Sequence, residues 1–210
     1  MVSIEILSML NLTDEVAVEL ANLGMISLSL KLINQQEYKV QYHAACLFFN
    51  ITSRTGVLRQ IMANEDFDTL IEAVVKAGTR EVRLMYLKSI KNLILIEDAA
   101  PEMVRHGLLD VLVELFAFSP DIEIGRIAAN IIDMLCMNEV LVEKVFNTVK
   151  IGDLVSRMVI DRDLETARYA FHITKQFSKY PALFDGVMIK KVDISAAVMT
   201  CLKDKTLNYL

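Results

Sequence analysis

Glycine, proline and cysteine are scarce in this chain: its 210 residues contain seven glycines, three prolines, three cysteines and no tryptophan. The cysteines, Cys46, Cys136 and Cys201, are odd in number and widely spaced, which fits neither a disulfide framework nor a zinc ribbon and predicts reduced, buried thiols. With so few glycines and prolines, the sequence contains few residues that favour turns or end helices. With 54% hydrophobic and 23% charged residues, the chain is expected to fold rather than to remain disordered.

Positive charge is also in deficit, because the formal net charge is −5 and the isoelectric point is about 5.3. This composition argues against general affinity for nucleic acid, since phosphate binding normally needs a basic domain or stripe. The N-terminal segment MVSIEILSML has no basic region and does not resemble a secretory signal. The most apolar window, residues 16–33, is interrupted by Glu19 and Lys31, whereas a bilayer helix needs about 20 nearly uncharged residues. We therefore expect a soluble cytoplasmic protein without membrane insertion.

Motifs for catalysis, metal binding and cofactor binding are missing as well. The sequence has no glycine-rich phosphate loop, no HExxH motif and no GxSxG nucleophile elbow. The acids of the segment IDRDLE lack the frame and the glycine of a calcium loop, and they are expected in a solvated loop. We predict no enzyme, no cofactor and no metal site. An all-α enzyme that uses Asp133 or Asp161 with a histidine is the remaining enzymatic alternative.

What the chain does contain is an internal repeat of 41 or 42 residues. The stretch KVQYHAACLFFNITSR, residues 39–54, has apolar residues on a helical period and Asn50 on the opposite side. At gaps of 42, 41 and 42 residues this polar column continues through Asn50, Asn92, Asp133 and Lys175. Two positions earlier, every member of the column is apolar: Phe48, Ile90, Ile131 and Ile173.

A second marker supports the same register. Gly24, Asp66 and Gly107 each precede a member of the polar column by 26 residues, and each opens an apolar helical run. The prolines, Pro101, Pro120 and Pro181, fall where a helix would begin, since the first turn tolerates a missing N–H. One repeat is therefore predicted to contain a short, a medium and a long helix.

This pattern resembles the armadillo repeat, in which a glycine opens a leucine-rich second helix and a long third helix carries Ala-Ala near its middle and an asparagine near its end. The best matches are GMISLSLKLI with HAACLFFNIT, and HGLLDVLVELF with RIAANIIDML. HEAT repeats, which pair two helices at a similar period, are the near alternative. The resemblance implies an all-α fold, a right-handed α-α superhelix of about four repeats with half-repeats at both ends.

We accordingly predict a single armadillo-like helical repeat domain over residues 1–210. Its units are residues 1–13 (partial), 14–54, 55–96, 97–137, 138–179 and 180–210 (partial). The first half-repeat resembles a third helix, with Asn11 in the position of Asn50, and residues 187–210 resemble a second helix without a third. Because solenoid repeats bury their faces only against neighbours, we expect a longer parent chain or a partner that covers an end.

The side of the long helices opposite the core lines a concave groove in armadillo proteins, and here it is the candidate binding face. Its predicted binding residues are Asn50, Asn92, Asp133, Lys175, Lys88, Arg126, Arg168, His43, Arg54 and Phe171. Six of these are basic and one is acidic, although the whole chain is acidic. Such a face favours an extended acidic peptide through electrostatic steering, and asparagine side chains can bond to a peptide backbone.

The lack of tryptophan excludes one use of such a groove. Importin-α-like grooves place a tryptophan four residues before the asparagine to hold lysine side chains, and the residues at those positions are Cys46, Lys88, Ala129 and Phe171. The cationic face is closer in kind to that of beta-catenin, whose partners are acidic. We predict a non-enzymatic scaffold for protein binding. The alternative is a structural subunit of a cytoskeletal, axonemal or trafficking assembly, associated with the cytoskeleton or a cilium and docked through its ends and convex face.

Overall fold

The computed structural model describes residues 2–57, 67–96, 98–150 and 163–180, which form helices and short connections without a strand. Two 3-10 turns, Leu32–Asn34 and Thr55–Val57, accompany the α-helices. The described α-helices are α1 Val2–Met9, α2 Asp14–Asn22, α3 Met25–Lys31, α4 Tyr38–Thr52, α5 Phe67–Lys76, α6 Arg80–Leu93, α7 Ala99–Arg105, α8 Leu108–Phe118, α9 Ile122–Cys136, α10 Val142–Thr148 and α11 Leu164–Phe177.

Helix lengths follow the predicted order of short, medium and long. Helices α7, α8 and α9 contain 7, 11 and 15 residues. Helices α2 and α4 contain 9 and 15 residues, and between them α3 is extended by the turn Leu32–Asn34. The polar side chains that begin the helices explain why they start where they do: Thr79 accepts a hydrogen bond from the Val82 N–H at the start of α6, and Asp121 accepts two at the start of α9.

The structure explains why glycine occupies two of the positions that marked the repeat register. Gly24 and Gly107 adopt φ angles of 79° and 91°, in the left-handed region, where a side chain would be strained. Each lies in the tight turn between a first helix and a second helix. Asp66, the third marker, lies outside the described residues.

Contacts between Cα atoms divide the chain into two compact units, Met1–Leu108 and Leu109–Leu210. In the first unit α4 is central and packs against α1, α3 and α6. The rings of Phe48 on α4 and Tyr86 on α6 lie 5.8 Å apart, and both side chains are fully buried. Burial of one such side chain contributes about 1.5–3 kcal/mol.

The second unit is built in the same way around α9, which packs against α10 and α11. Ile131 on α9 and Ile173 on α11 are fully buried, as the apolar column predicted. Phe146 on α10 and Phe177 on α11 meet edge to face, with ring centroids 5.0 Å apart. The single domain and the repeat boundaries given above stay predictions.

Within the described residues, no single helix has the length and hydropathy to span a membrane. One pair of segments, Asp14–Asn22 and Met25–Asn34, meets the criteria together but is bent by 69°.

Candidate functional site

The long helices carry the predicted binding residues, which fall into one group in each unit. We call the group on α4, on α6 and just after α4 in the first unit the asparagine face; it comprises His43, Asn50, Arg54, Lys88 and Asn92. We call the group on α9 and α11 in the second unit the ionic face; it comprises Arg126, Asp133, Arg168, Phe171 and Lys175.

On the asparagine face, α4 is bonded to α1 through one serine. The Asn50 Nδ2 donates to the Ser8 carbonyl oxygen at 2.8 Å, and the Ser8 Oγ and the His43 Nδ1 share a hydrogen bond of 2.8 Å. Asn50 and Ser8 are 42 residues apart, so Ser8 rather than Asn11 occupies the repeat position of Asn50. The expectation for Asn11 was wrong because α1 ends at Met9, before that residue.

The second asparagine makes a similar contact one repeat later. The Asn92 Nδ2 on α6 donates to the Ser53 Oγ at the end of α4, over 3.1 Å. Each amide nitrogen carries two protons, so each asparagine keeps one N–H and its Oδ1 for a further partner. Both side chains are half-buried. The asparagines are therefore held in orientation by the neighbouring helix while part of each amide remains available.

The basic residues of the asparagine face are less free than the sequence suggested. The Arg54 Nη2 donates to the Asn11 Oδ1 at 3.0 Å, and its Nε is buried without a partner among the described residues. Lys88 on α6 is half-buried. Arg54 and His43 are therefore both engaged in contacts within the unit.

On the ionic face, Arg126 of α9 forms a bidentate contact with Asp163. The Arg126 Nη2 and Nε lie 2.6 and 3.2 Å from the two carboxylate oxygens, and a Glu165 oxygen lies 3.1 Å from Nε. Asp163 also accepts from the Thr166 N–H and Oγ1, which caps the start of α11. Burial would raise the pKa of Asp163, but the hydrogen bonds from Arg126 and Thr166 outweigh it and lower that pKa. The hydrogen bond from Asp163 in turn raises the pKa of Arg126.

Asp161, Asp163 and Glu165 were expected in a solvated loop. Asp161 lies outside the described residues, and for Asp163 and Glu165 the expectation of a loop was wrong. They begin α11, and Asp163 is nearly buried against Arg126. The ionic face therefore contains three basic residues, Arg126, Arg168 and Lys175, and three acids once these two join Asp133. The excess of positive charge expected from the sequence is absent from this count.

Asp133 lies between α9 and α11 rather than on the outer surface, with 5% of its area exposed. Its Oδ2 is 3.6 Å from the His172 Nδ1, and its Oδ1 has no hydrogen-bond partner among the described residues. Burial raises the pKa of Asp133, although His172 and Arg168 act in the opposite direction. Sequence reasoning missed His172. The sequence signal that could have found it is the spacing of 39 residues between Asp133 and His172, which is one repeat minus about one helical turn. The same spacing separates Ser53 from Asn92, which are also bonded between adjacent third helices.

The part of the ionic face that is open to solvent is a stripe along α11. Arg168, Phe171 and Lys175 are all exposed and lie on one side of the helix, at intervals of three and four residues. Phe171 is 43% exposed, which is unusual for so large an apolar side chain. Neither Arg168 nor Lys175 has an ion-pair partner among the residues that the structure describes. We call these three residues the α11 stripe.

No group of three or more histidine, cysteine or acidic residues in the described ranges could hold a metal ion. Cys46 and Cys136 are free thiols, half-buried and buried respectively, and burial raises the pKa of both. Cys201 lies outside the described residues. Two histidines do pair with aspartates across helices: His172 with Asp133, and His106 with Asp68 at 2.7 Å. Neither pair could be identified from local spacing.

Comparison with known proteins identifies the fold. No family model and no curated protein matches the chain. Among solved structures, the chain is similar to an engineered protein with a TM-score of 0.73 and 17% identity, covering 89% of this chain and 76% of that one. It is similar to computationally designed armadillo repeat proteins for modular peptide recognition, with a TM-score of 0.72, 16% identity and coverage of 96% and 91%.

A third similar structure is a designed armadillo repeat protein in complex with the peptide (KR)4, with a TM-score of 0.70, 15% identity and coverage of 95% and 89%. Identities this low establish the fold alone. The chain has an all-α, armadillo-like repeat fold, which confirms the fold class that the resemblance to armadillo repeats implied.

Proposed function

We propose that this chain is a non-enzymatic interaction scaffold for extended peptides, with one candidate binding face in each unit, the asparagine face and the ionic face. The observation that carries the proposal is the pair Asn50 and Asn92. They occupy the same repeat position, they are fixed by bonds to Ser8 and Ser53, and each keeps one donor and one acceptor open. A peptide backbone presents one donor and one acceptor per residue, so such amides can bind it without reading its sequence.

Magnitudes indicate that the asparagines position a peptide rather than provide most of its affinity. One hydrogen bond contributes about 1 kcal/mol net, so four bonds from two asparagines supply about 4 kcal/mol, which corresponds to a dissociation constant of about 1 mM. Tighter binding requires side-chain contacts. In the second unit, the α11 stripe offers exposed side chains for such contacts with a peptide of its own.

We further propose that the preferred peptide is acidic. Arg168 and Lys175 flank Phe171, and an extended segment with carboxylates on either side of an apolar residue complements that arrangement. Arginine binds carboxylates in a bidentate geometry, and exposed charges raise the rate of encounter. The similar designed protein is in complex with a basic peptide, (KR)4. Analogy with that protein would suggest a basic ligand, whereas we propose an acidic one.

The test is fluorescence anisotropy of the full chain with two labelled octapeptides, (DE)4 and (KR)4. We expect (DE)4 to bind about tenfold or more tightly than (KR)4, with an affinity that falls as salt is added. The double variant Arg168→Glu with Lys175→Glu should lose this preference. A matched control, Lys31→Glu with Lys76→Glu, changes the net charge equally on the second helices α3 and α5 and should keep it.

The outcomes separate the two parts of the proposal. Tighter binding of (KR)4 would retain a peptide scaffold and overturn the acidic preference. Equal affinity of the α11 double variant and the native chain for (DE)4 would remove the stripe from the binding site.

A structural subunit docked through its ends and convex face is the second candidate. The observation that favours it is the apolar surface of the N-terminal helices, where Met9 and Leu23 are 71% and 72% exposed. Under this hypothesis, changes at the N-terminal end abolish assembly, whereas changes at the α11 stripe do not. A cytoplasmic location, with the cytoskeleton or a cilium in this second case, stays a prediction.

A further inference from the structure

Ser8 is a buried polar residue of α1 that bonds to two side chains of α4. Only 8% of its area is exposed. Its carbonyl oxygen accepts from the Asn50 Nδ2, and its Oγ shares a hydrogen bond with the His43 Nδ1, each over 2.8 Å. The Oγ also donates to the Glu5 carbonyl oxygen over 2.8 Å, within α1. One buried serine therefore orients two side chains of the asparagine face.

The two hydrogen bonds of the Ser8 hydroxyl determine which nitrogen of His43 carries a proton. A serine hydroxyl has one proton and two lone pairs. Because the Glu5 carbonyl oxygen can only accept, the hydroxyl proton is used in that bond. The proton between Ser8 and His43 must then come from Nδ1. In the neutral ring of His43, Nδ1 is therefore the donor and Nε2 carries a lone pair, an assignment that follows from the network of bonds.

The Nε2 atom of His43 is open to solvent and has no hydrogen-bond partner among the described residues. The residue as a whole is half-buried. The ring of Tyr42 packs against it edge to face, with the ring centroids 5.4 Å apart. Ser8 and Tyr42 thus both fix the orientation of the ring. The result is one acceptor held in place at the surface of the asparagine face.

An acceptor at this position changes which peptide side chains fit the face. Arg54 and Lys88 offer only donors, and the sequence grouped His43 with them as a basic residue. A neutral imidazole with a lone pair at Nε2 cannot bond to an ionised carboxylate, because both groups accept. A hydroxyl, an ammonium group or an amide N–H can donate to it. The neutral ring of His43 therefore favours a donor.

We propose that His43 is a specificity-determining residue of the asparagine face, which selects a peptide side chain that ends in a hydrogen-bond donor, and that Ser8 positions it. The inference rests on peptide binding by the asparagine face, as proposed above. His43 and Asn50 stand seven residues apart on α4, about 10 Å along the helix axis. A peptide whose backbone contacts Asn50 therefore reaches Nε2 with a long side chain rather than with its backbone.

Tyrosine has the chemistry that fits this position. The rings of Tyr38 and Tyr42 have centroids 6.0 Å apart, and Tyr38 is 44% exposed. With the ring of His43 they form an aromatic surface, and aromatic rings pair favourably. A tyrosine side chain is long and aromatic and ends in a hydroxyl donor, so it matches both the surface and the acceptor. The preference concerns one side chain, because the backbone contacts of Asn50 and Asn92 are common to all peptides.

The first measurement is the protonation of the two ring nitrogens. Long-range ¹H–¹⁵N correlation spectra of the ¹⁵N-labelled full chain are recorded at about pH 8.5, above the range in which histidine usually changes charge. We expect a protonated Nδ1 and an unprotonated Nε2 in His43. Ser8→Ala removes the hydroxyl, keeps the carbonyl that accepts from Asn50, and should give a mixture of the two tautomers. An unprotonated Nδ1 in the native chain, or an unchanged His43 spectrum in Ser8→Ala, would overturn the proposal.

The second measurement is fluorescence anisotropy of the full chain at the same pH with the labelled octapeptides (GY)4 and (GF)4, which differ only in the tyrosine hydroxyl. We expect (GY)4 to bind about fivefold more tightly, the ratio that one hydrogen bond provides. His43→Phe keeps an aromatic ring and removes both nitrogens, so it should bind the two peptides equally. His106→Phe is the matched control, at a histidine of the same unit that is paired with Asp68, and should keep the preference.

The outcomes separate this inference from the proposed function. Absence of binding by both peptides would contradict peptide binding by the asparagine face and would overturn the inference with it. Saturable binding of (GY)4 and (GF)4 with equal affinity, or a preference that survives in His43→Phe, would overturn the role of His43 alone. If circular dichroism shows that His43→Phe is unfolded, Ser8→Ala replaces it. The preference should then fall from about fivefold to about twofold, and an unchanged preference would overturn the proposal.

Discussion

The asparagine face and the ionic face use the same repeat position in different ways. In the first unit that position holds Asn50 and Asn92, which join adjacent third helices through neutral hydrogen bonds to Ser8 and Ser53. In the second unit it holds Asp133, which is buried beside His172 with one oxygen unpaired. A neutral amide satisfies the position at every pH, whereas a buried carboxylate is stable only in a suitable protonation state. The two faces therefore share a backbone arrangement and differ in their dependence on pH.

The largest expected effect comes from truncating a buried core residue in each unit, and it compares how much the two cores contribute to the free energy of unfolding. Phe48→Ala and Ile131→Ala each remove a fully buried side chain from the same apolar column, one in each unit. We expect losses in the free energy of unfolding of about 3–5 kcal/mol for Phe48→Ala and about 2–5 kcal/mol for Ile131→Ala, because each leaves a cavity. Urea unfolding followed by circular dichroism measures both. Exposed Leu23→Ala is the control, and a loss below about 1 kcal/mol at Phe48 would contradict the packing described.

The next effect compares the helix caps of the two faces. Asp163 caps α11 and also binds Arg126, whereas Thr79 only caps α6. Asp163→Ala should lower the free energy of unfolding by about 2 kcal/mol and Thr79→Ala by about 1 kcal/mol. Because the pKa of Asp163 is lowered in the folded state, its contribution is present above the unfolded value of 3.8 and is lost as pH falls through the folded pKa.

Asp163→Asn separates the two roles of this residue, since an asparagine still caps the helix. Its loss should fall between those of Asp163→Ala and Thr79→Ala. Equal losses for Asp163→Ala and Thr79→Ala at neutral pH would show that the contact with Arg126 adds nothing.

The third change, Asp133→Asn, gives the ionic face the residue that the asparagine face has at the same repeat position. Burial raises the pKa of Asp133 above 3.8, so the folded state disfavours its charge, and stability decreases as pH rises through the raised pKa. Asp133→Asn should therefore increase the free energy of unfolding at neutral pH by about 1 kcal/mol, and the gain should vanish below pH 3.8. Urea unfolding at a series of pH values measures this. Exposed Asp110→Asn is the control, and destabilisation by Asp133→Asn at neutral pH would mean that the ionised carboxylate is well compensated by His172.

The smallest expected loss in the free energy of unfolding comes from removing the exposed hydrogen bond of Asn92. Asn92→Ala removes the contact with Ser53 and should cost about 0.5 kcal/mol, while Asn50→Ala removes the less exposed contact with Ser8 and should cost about 1 kcal/mol. Differential scanning fluorimetry calibrated by urea unfolding can resolve the order. The reverse order would indicate that Asn50 is not the stronger link between helices.

The fold could be predicted from the sequence because burial repeats with the period of the chain. Phe48, Ile90 and Ile131 align by counting residues alone, and all three are fully buried. The glycines Gly24 and Gly107 were equally visible, since each is required by a left-handed φ angle. Local rules of this kind act within one helix or one turn, and counting along the chain detects them.

The candidate site was harder to predict because its side chains are paired between helices. Asp133 aligned with two asparagines and was therefore assigned to the outer surface, but His172 draws it inward across 39 residues of sequence. Asp163 stood in a polar segment that resembled a loop, and its role became visible only when α11 was positioned beside Arg126. Column position predicts the direction of a side chain, while its partner depends on tertiary packing.

The central claim is that the open amide groups of the asparagine face contact an extended peptide. It is tested most directly by two-dimensional NMR of the ¹⁵N-labelled full chain during titration with (DE)4. The account predicts that the side-chain NH₂ resonances of Asn50 and Asn92 shift progressively and saturate together, while those of Asn22 on α2 remain unchanged. Shifts confined to the first and second helices, with Asn50 and Asn92 unaffected at saturation, would contradict it.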